Sequence, residues 1–251
     1  MEIEELAMRA YVENKLYKTK ELVEFVEKAS ILQTENEPGL VWDVMILLPD
    51  DSFQEFSGQY GECFVVDDHD HHPNVFTRVK SFEWLRKDFT RRLPIALWIY
   101  QHSLVLADKG GGFDKIIQEQ MKVFDEAVPE TLRKKYLEFR TERHNLRHAL
   151  KRKETVSELL IKATVVKLGL EMIFLAQRKP YPYKKWLPSI AGQETRCGKI
   201  VLQISNEFLS SGTAETTLEL SNRLVEKIVE LLDETRMFSK DFLERWWLYL
   251  V

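Results

Sequence analysis

Two stretches of the chain concentrate side chains able to do chemistry. The first is DDHDHHPN, residues 67–74, in which Asp67, Asp68, Asp70, His69, His71 and His72 form a dense run of potential metal ligands. Histidine there would favour zinc or manganese over magnesium. If the backbone stays extended, Asp68 and Asp70 fall on one side of it and can share an ion. The same composition also suits a solvated turn, because Asp and Asn bond readily to nearby backbone. The second stretch is QRKPYPYKKWLP, residues 177–188, with two tyrosines, a tryptophan, three prolines and four cations in twelve residues.

Pro180, Pro182 and Pro188 must stop a preceding helix and hold this elbow near extended geometry. A stiffened loop presents side chains at low entropic cost. Tyr181, Tyr183 and Trp186 offer faces on which a planar base can stack. Arg178, Lys179, Lys184 and Lys185 offer charges that phosphates accept. A blander role is open too: the aromatics can plug the end of a helical bundle while the lysines stay in water.

The elements that must position these residues fit an ordinary globular chain. Its 251 residues, 44% hydrophobic and 30% charged, allow one large domain or two small ones. A formal charge of −4 leaves nucleic acid unindicated as a partner, and any polyanion site must be local. Cys63 and Cys197 have no metal-ligand spacing and read as reduced thiols. The acidic start, MEIEELAMRAY, lacks a signal-peptide core, and the richest apolar run, Leu159 to Leu175, is broken by Lys162, Lys167 and Glu171. A cytoplasmic protein with no membrane partner is expected.

Ile3 to about Ala29 reads as helix, with apolar residues at spacings that can share a face. The apolar run in GLVWDVMILLPDD, bounded by Gly39 and Pro49, predicts a buried strand, and GECFVV (61–66) a second. SFEWLRKDFTRR (81–92) opens on an N-cap serine and predicts a helix. SLVLAD (103–108) predicts a short strand, ended by KGGG, with a helix opening near Phe113. From Pro129 onward every segment reads helical: 129–152 carries a stripe of Leu132, Tyr136, Phe139, Leu146 and Leu150, and 155–176 is apolar on nearly all sides. Further helices are expected near 193–209, 214–235 and 239–250. The expected class is α+β, a small mixed sheet with helices over 1–127 and an antiparallel helical bundle over 128–251.

A long apolar helix followed by Arg178, Tyr181, Pro182, Tyr183, Lys185, Trp186 and Leu187 resembles the helical C-terminal domain of certain nucleotidyltransferase-superfamily proteins. In that group, of the DUF4037-like type, a minimal polymerase-beta-like domain joins a helical domain that closes over substrate. RLPIALWIYQHSLVLADKGGGFDKII (92–117) is similar to the same group, and the resemblance spans roughly residues 80 to 210. It implies a nucleoside triphosphate bound between two domains, with Mg²⁺ or Mn²⁺ assisting transfer of a nucleotidyl group to an unknown hydroxyl acceptor. It further implies contacts from Tyr181 and Tyr183 to base or acceptor, and from Arg178 and Lys185 to phosphates.

The family signature places Gly-Ser about a dozen residues before Asp-x-Asp. Here Ala29-Ser30 is followed, after twelve residues, by Asp43-Val44-Met45. Ser30 then matches the phosphate-side serine and Asp43 the first metal-binding carboxylate and catalytic residue. Met45 stands where the second carboxylate belongs, and a thioether is a poor magnesium ligand. Ala29 replaces the glycine that lets backbone approach phosphate. Remaining ligands would have to come from Asp68 and Asp70 or from Asp108, which can equally cap the KGGGF turn. Either the metal site is lost, leaving a non-catalytic nucleotide- or partner-binding module, or its ligands are recruited from elsewhere.

RHNLRH (143–148) matches the Arg-x4-His pattern of HEPN ribonucleases, in which the pair clamps phosphate and acts as general base. Residues five apart on a helix point about 140° away from each other, and the segment also suits a solvated cationic face. Phosphate-loop and dinucleotide glycine motifs are absent from the sequence. The terminal RWWLYLV is apolar enough to cap the helical core or to form a patch for self-association.

Overall fold

A computed structural model of the chain describes the backbone of residues 2–37, 41–71, 73–109 and 111–250, and side chains over 5–34, 41–71, 73–109 and 111–250. Gly39, His72, Gly110 and Val251, on which expectations above fall, lie outside the described residues. The chain divides into two compact units, Met1–Val123 and Phe124–Val251.

The first unit opens on α1 (Glu2–Asn14), which stops well short of Ala29; only short 3₁₀ turns, Leu16–Lys18 and Val26–Lys28, follow. Then come β1 (Ser30–Glu37), β2 (Val41–Leu48), α2 (Asp50–Tyr60), β3 (Val65–Asp68), β4 (Asn74–Ser81), α3 (Phe82–Gln101) and β5 (Leu104–Asp108). Gly61 ends α2 at φ 87, a conformation that costs a glycine nothing. The five strands lie in the order β3-β4-β2-β1-β5, with β2 and β4 parallel and the other pairs antiparallel. The mixed α+β class is as expected.

Strand alternation sorts β2 onto two faces. Trp42, Val44, Ile46 and Leu48 join a core with Met8, Tyr11 and Val12 of α1 and Phe56 of α2. Asp43, Met45 and Leu47 face the other way, where Tyr100 of α3 reaches the Met45 sulfur at 3.9 Å. Ser81 caps α3 by accepting from the Trp84 amide. This helix outruns the expected 81–92: it kinks at Arg92, two residues before Pro94, then continues to Gln101. A proline removes one helical bond and crowds the carbonyl four residues back, which accounts for the kink.

Two strands differ from expectation. β3 starts at Val65 and takes in Asp67 and Asp68, so the acidic run is partly strand and the 61–64 end of GECFVV is not. β4, with alternating burial along NVFTRVKS, was not expected as a strand.

The helix α4 (Phe113–Arg152) begins in the first unit, runs on into the second and passes uninterrupted through Pro129. It is followed by α5 (Thr155–Leu175), α6 (Leu187–Glu194), α7 (Gly198–Ser210), α8 (Ala214–Thr235) and α9 (Lys240–Glu244). Leu168 to Leu175 of α5 are buried without interruption, the central position its all-round hydrophobicity predicts. The expected helix 193–209 is two, α6 and α7, and Gly198 lets them meet. A Cβ there would come within 2.5 Å of the Ala191 carbonyl carbon. The apolar end divides: Trp246 is buried, whereas Trp247 and Leu248 are exposed. Among the described residues no helix is long and apolar enough to cross a membrane.

Candidate functional site

Asp43 sits on β2 beside Phe76 of β4, and Met45 beside Arg78, in parallel register. Parallel partners share a face, so Arg78 reaches diagonally back and its Nη2 donates to Asp43 Oδ2 at 2.6 Å. Both side chains are largely covered, at 20% exposure for Asp43 and 33% for Arg78. Behind them on α3, Arg92 donates to both oxygens of Asp88 at 2.7 and 2.8 Å, and the Tyr100 hydroxyl donates to Asp88 at 3.3 Å. Burial first, then the Asp88 charge, push the Tyr100 phenol well above its ordinary range. The face that should carry a carboxylate pair therefore carries a carboxylate neutralised by guanidinium and a thioether beside a phenol.

Ser30 and Asp108 are register partners on β1 and β5, and the serine hydroxyl donates to Asp108 Oδ1 at 2.5 Å. Ser30 also pairs with Leu47, four residues along β2 from Asp43. At the rise of a strand that places it roughly 13 Å away along the sheet. These two candidates are brought to each other and not to Asp43.

The acidic run splits the same way. Asp67 lies on the Asp43 face, two strands over through Phe76, a lateral separation of roughly 9.6 Å. Its carboxylate pairs with His69 at 3.1 Å. Asp68 points to the opposite face, where it is buried, accepts from the Tyr11 hydroxyl at 3.0 Å and pairs with Lys15. The Lys15 ammonium, assisted by Tyr11 against the effect of burial, holds the Asp68 carboxyl below the ordinary carboxylate value. Asp70 lies in the exposed turn after β3, beyond the alternation that would have aligned it with Asp68. Among the described residues no three His, Cys, Asp or Glu side chains stand close enough to hold a metal ion. Among the described side chains, Arg78 holds one Asp43 oxygen and Met45, two residues on, offers a thioether, a set that does not fit a two-metal centre of the kind phosphoryl transfer uses.

The elbow begins where α5 ends in a paired turn: the Arg178 and Lys179 amides donate to the carbonyls of Leu175 and Phe174. Arg178 takes the left-handed position, φ 52, that glycine usually fills. Its guanidinium donates to the Asp125 carbonyl at 3.0 Å, and Lys179 caps α6 through the Glu194 carbonyl at 2.7 Å. Tyr181 is buried, its ring face covered by the Lys135 ammonium at 5.4 Å, and Lys135 pairs with buried Glu171 at 2.6 Å. Burial, then the Glu171 charge, raise the Tyr181 phenol. Tyr183 is the exposed ring of the elbow, at 42%, and Lys185 lies over Trp186 at 4.2 Å. At the base of the elbow a cavity of about 520 Å³ is lined by Gln177, Lys179, Glu194, Arg196, Glu234 and neighbours.

In RHNLRH, Arg143 is bonded to Asn222 of α8, and His148 meets His144 edge-on at 5.3 Å. Arg143 thus has a structural partner on another helix.

Sequence reasoning missed Arg78, Asp88, Tyr100, Lys135 and Glu171. For Arg78 a signal existed: Val75, Thr77 and Val79 alternate with Phe76, Arg78 and Lys80, a half-buried strand pattern. Asp88 and Arg92 form an i, i+4 pair that helical spacing could have shown, whereas Lys135 with Glu171 and Tyr100 with Met45 meet between distant segments, which no local pattern shows.

Residues 81–187, less than half of the chain, match the family model DUF4037, described as a domain of unknown function. Among solved structures, the chain is similar to a nucleotidyltransferase-like protein from Exiguobacterium sibiricum 255-15, with a TM-score of 0.52 and 11% identity. That likeness covers 91% of this chain and 78% of the other. No curated protein matches. At that identity the likeness speaks to fold alone, a fold this chain shares with that protein.

Proposed function

We propose that this chain is a nucleotide-binding module built on a nucleotidyltransferase-like fold in which the transfer step is silent. The observation that carries this is the 2.6 Å ion pair between Asp43 and Arg78. A carboxylate already neutralised by a guanidinium in a mostly covered site is a weak ligand for a divalent ion. Met45 cannot supply the second oxygen. No step is therefore routed through Mg²⁺ or Mn²⁺, and transfer to a hydroxyl acceptor belongs to the competing reading.

The ligand most consistent with the elbow is a nucleoside triphosphate. Tyr183 offers an exposed face to a base, while Lys184 and Lys185, both exposed, offer charge to phosphates. Arg178 shapes the turn that presents them. Tyr181 serves as the packed foot of the loop. The free thiols of Cys63 and Cys197 suit a reducing compartment such as the cytoplasm.

The test is equilibrium binding of fluorescent ATP and CTP analogues in EDTA. The expected result is saturable binding, insensitive to added Mg²⁺ and weakened by Tyr183→Ala and by Lys184→Ala with Lys185→Ala. Absence of binding by every nucleotide would remove the nucleotide from the reading and leave a partner-binding module.

A further inference from the structure

The tip of the hairpin formed by α4 and α5 holds large apolar side chains in water. Val156 is 72% exposed, Leu159 57% and Leu160 65%. Their spacings of three and four place them on one face of α5, which exposed Ala163 continues. Taking such side chains out of water is favourable, so the fold forgoes a gain here. Beside them a cavity of about 400 Å³ opens between the helices. Leu160, Ile161 and Ser157 of α5 line one wall, and Asn145, His148 and Arg152 of α4 the other.

The rim is cationic. Arg147, Lys151 and Arg152 are exposed on the last turns of α4, and Lys153 follows in the connecting turn. Arg143 lies one turn back; burial and then the charges of Arg147 and Arg140 lower its pKa, as expected where guanidinium groups crowd. Glu154 pairs with Arg152 at 2.8 Å and Glu158 with buried Lys162 at 2.7 Å, so the net positive charge of the rim comes from Arg147, Lys151 and Lys153. A chain of net charge −4 thus carries a local positive field around an apolar cleft.

We infer that this hairpin tip is a docking surface for an acidic amphipathic helix of a partner protein. Aliphatic anchors call for an apolar stripe opposite them, and the cationic rim calls for carboxylates flanking that stripe. The cavity accepts an inserted side chain, which a flat bilayer does not provide. Single-stranded nucleic acid binds on aromatic platforms, whereas the exposed anchors here are Val156, Leu159 and Leu160.

The experiment uses the full chain and a fluorescein-labelled helical peptide with leucine at every third or fourth position and glutamate elsewhere. A control peptide carries lysine in place of glutamate. Anisotropy is expected to rise with the acidic peptide alone and to fall with added salt. Leu159→Glu with Leu160→Glu should weaken binding at least about tenfold while leaving the thermal midpoint unchanged, since both side chains are exposed. Two further arms use phosphatidylserine vesicles and a single-stranded RNA oligonucleotide. Tighter binding to either of these, equal binding of both peptides, or no peptide binding would overturn the proposal.

Discussion

Arg78 Nη2 lies 2.6 Å from Asp43 Oδ2 across the one parallel strand pair of the sheet, β2 with β4. The contact is diagonal, from a residue in register with Met45 to the carboxylate two positions earlier. Register partners on adjacent strands share a face, which brings Arg78 within reach of Asp43 on the face that α3 covers. Asp43, the carboxylate of β2, is thereby bound to a protein cation.

Removing Arg78 should leave Asp43 charged and mostly covered with its ion-pair partner gone. Arg78→Ala is expected to lower unfolding free energy by about 1–3 kcal/mol, since stranding one member of a partly buried pair costs more than the pair contributes. Urea denaturation of Arg78→Ala, Asp43→Asn and the double variant checks it. The double variant should recover part of the loss, and strict additivity would count against direct coupling.

Asp68 should give the fold a characteristic acid response. Because Lys15 and Tyr11 hold its carboxyl below the ordinary 3.8, its ionised form favours the folded state. That contribution is complete above 3.8 and is lost as pH falls below it through the folded value. The difference in thermal midpoint between the parent and Asp68→Asn should be constant near neutrality and shrink below that point. Lys15→Met leaves the 5%-exposed Asp68 carboxylate with the Tyr11 hydroxyl but without its ammonium partner and should cost about 1–3 kcal/mol.

Tyr181 and Tyr183 should separate packing from recognition. Tyr181→Ala empties a buried aromatic site and is expected to cost about 3 kcal/mol, with Tyr181→Phe close to the parent because the hydroxyl has no role in the ring's packing on Lys135. Tyr183→Ala should change stability by less than about 0.5 kcal/mol and still weaken nucleotide. Calorimetry read beside nucleotide titration distinguishes the two.

Gly198 should tolerate nothing larger. A methyl group at that position would come within 2.5 Å of both the Ala191 carbonyl carbon and the Thr195 hydroxyl, and still closer to the Ala191 oxygen. Gly198→Ala is expected to cost about 3 kcal/mol by forcing α6 and α7 apart, measurable as a lowered midpoint in thermal unfolding.

The sequence made some of this legible and hid the rest for identifiable reasons. The run 41–48 and the segment 104–108 read as strands because they are apolar and bounded by turn residues, while α5 read as a helix from its length and all-round hydrophobicity and α8 was expected near 214–235. β1 did not, because SILQTENE is mostly polar; it becomes a strand by pairing with β2 and β5 on either side. Asp67 and Asp68 looked like one ligand set, yet consecutive strand residues face opposite ways, and Lys15 and Tyr11 claim the second. Ser30 and Asp43 looked like one motif through their spacing along the chain. The antiparallel register of β1 with β5 instead gives Ser30 to Asp108. The elbow's proline logic was readable, whereas the burial of Tyr181 depends on Lys135 and Glu171, far from it in sequence.

Nucleotidyl transfer itself is the most direct measurement. Incubated with α-labelled ATP or CTP and Mg²⁺ or Mn²⁺, the parent and Asp43→Asn should be indistinguishable, with no label moved to protein, nucleic acid or small hydroxyl acceptors. Label transferred by the parent and abolished in Asp43→Asn would contradict the account, because it would require Asp43 to leave Arg78 and serve a metal.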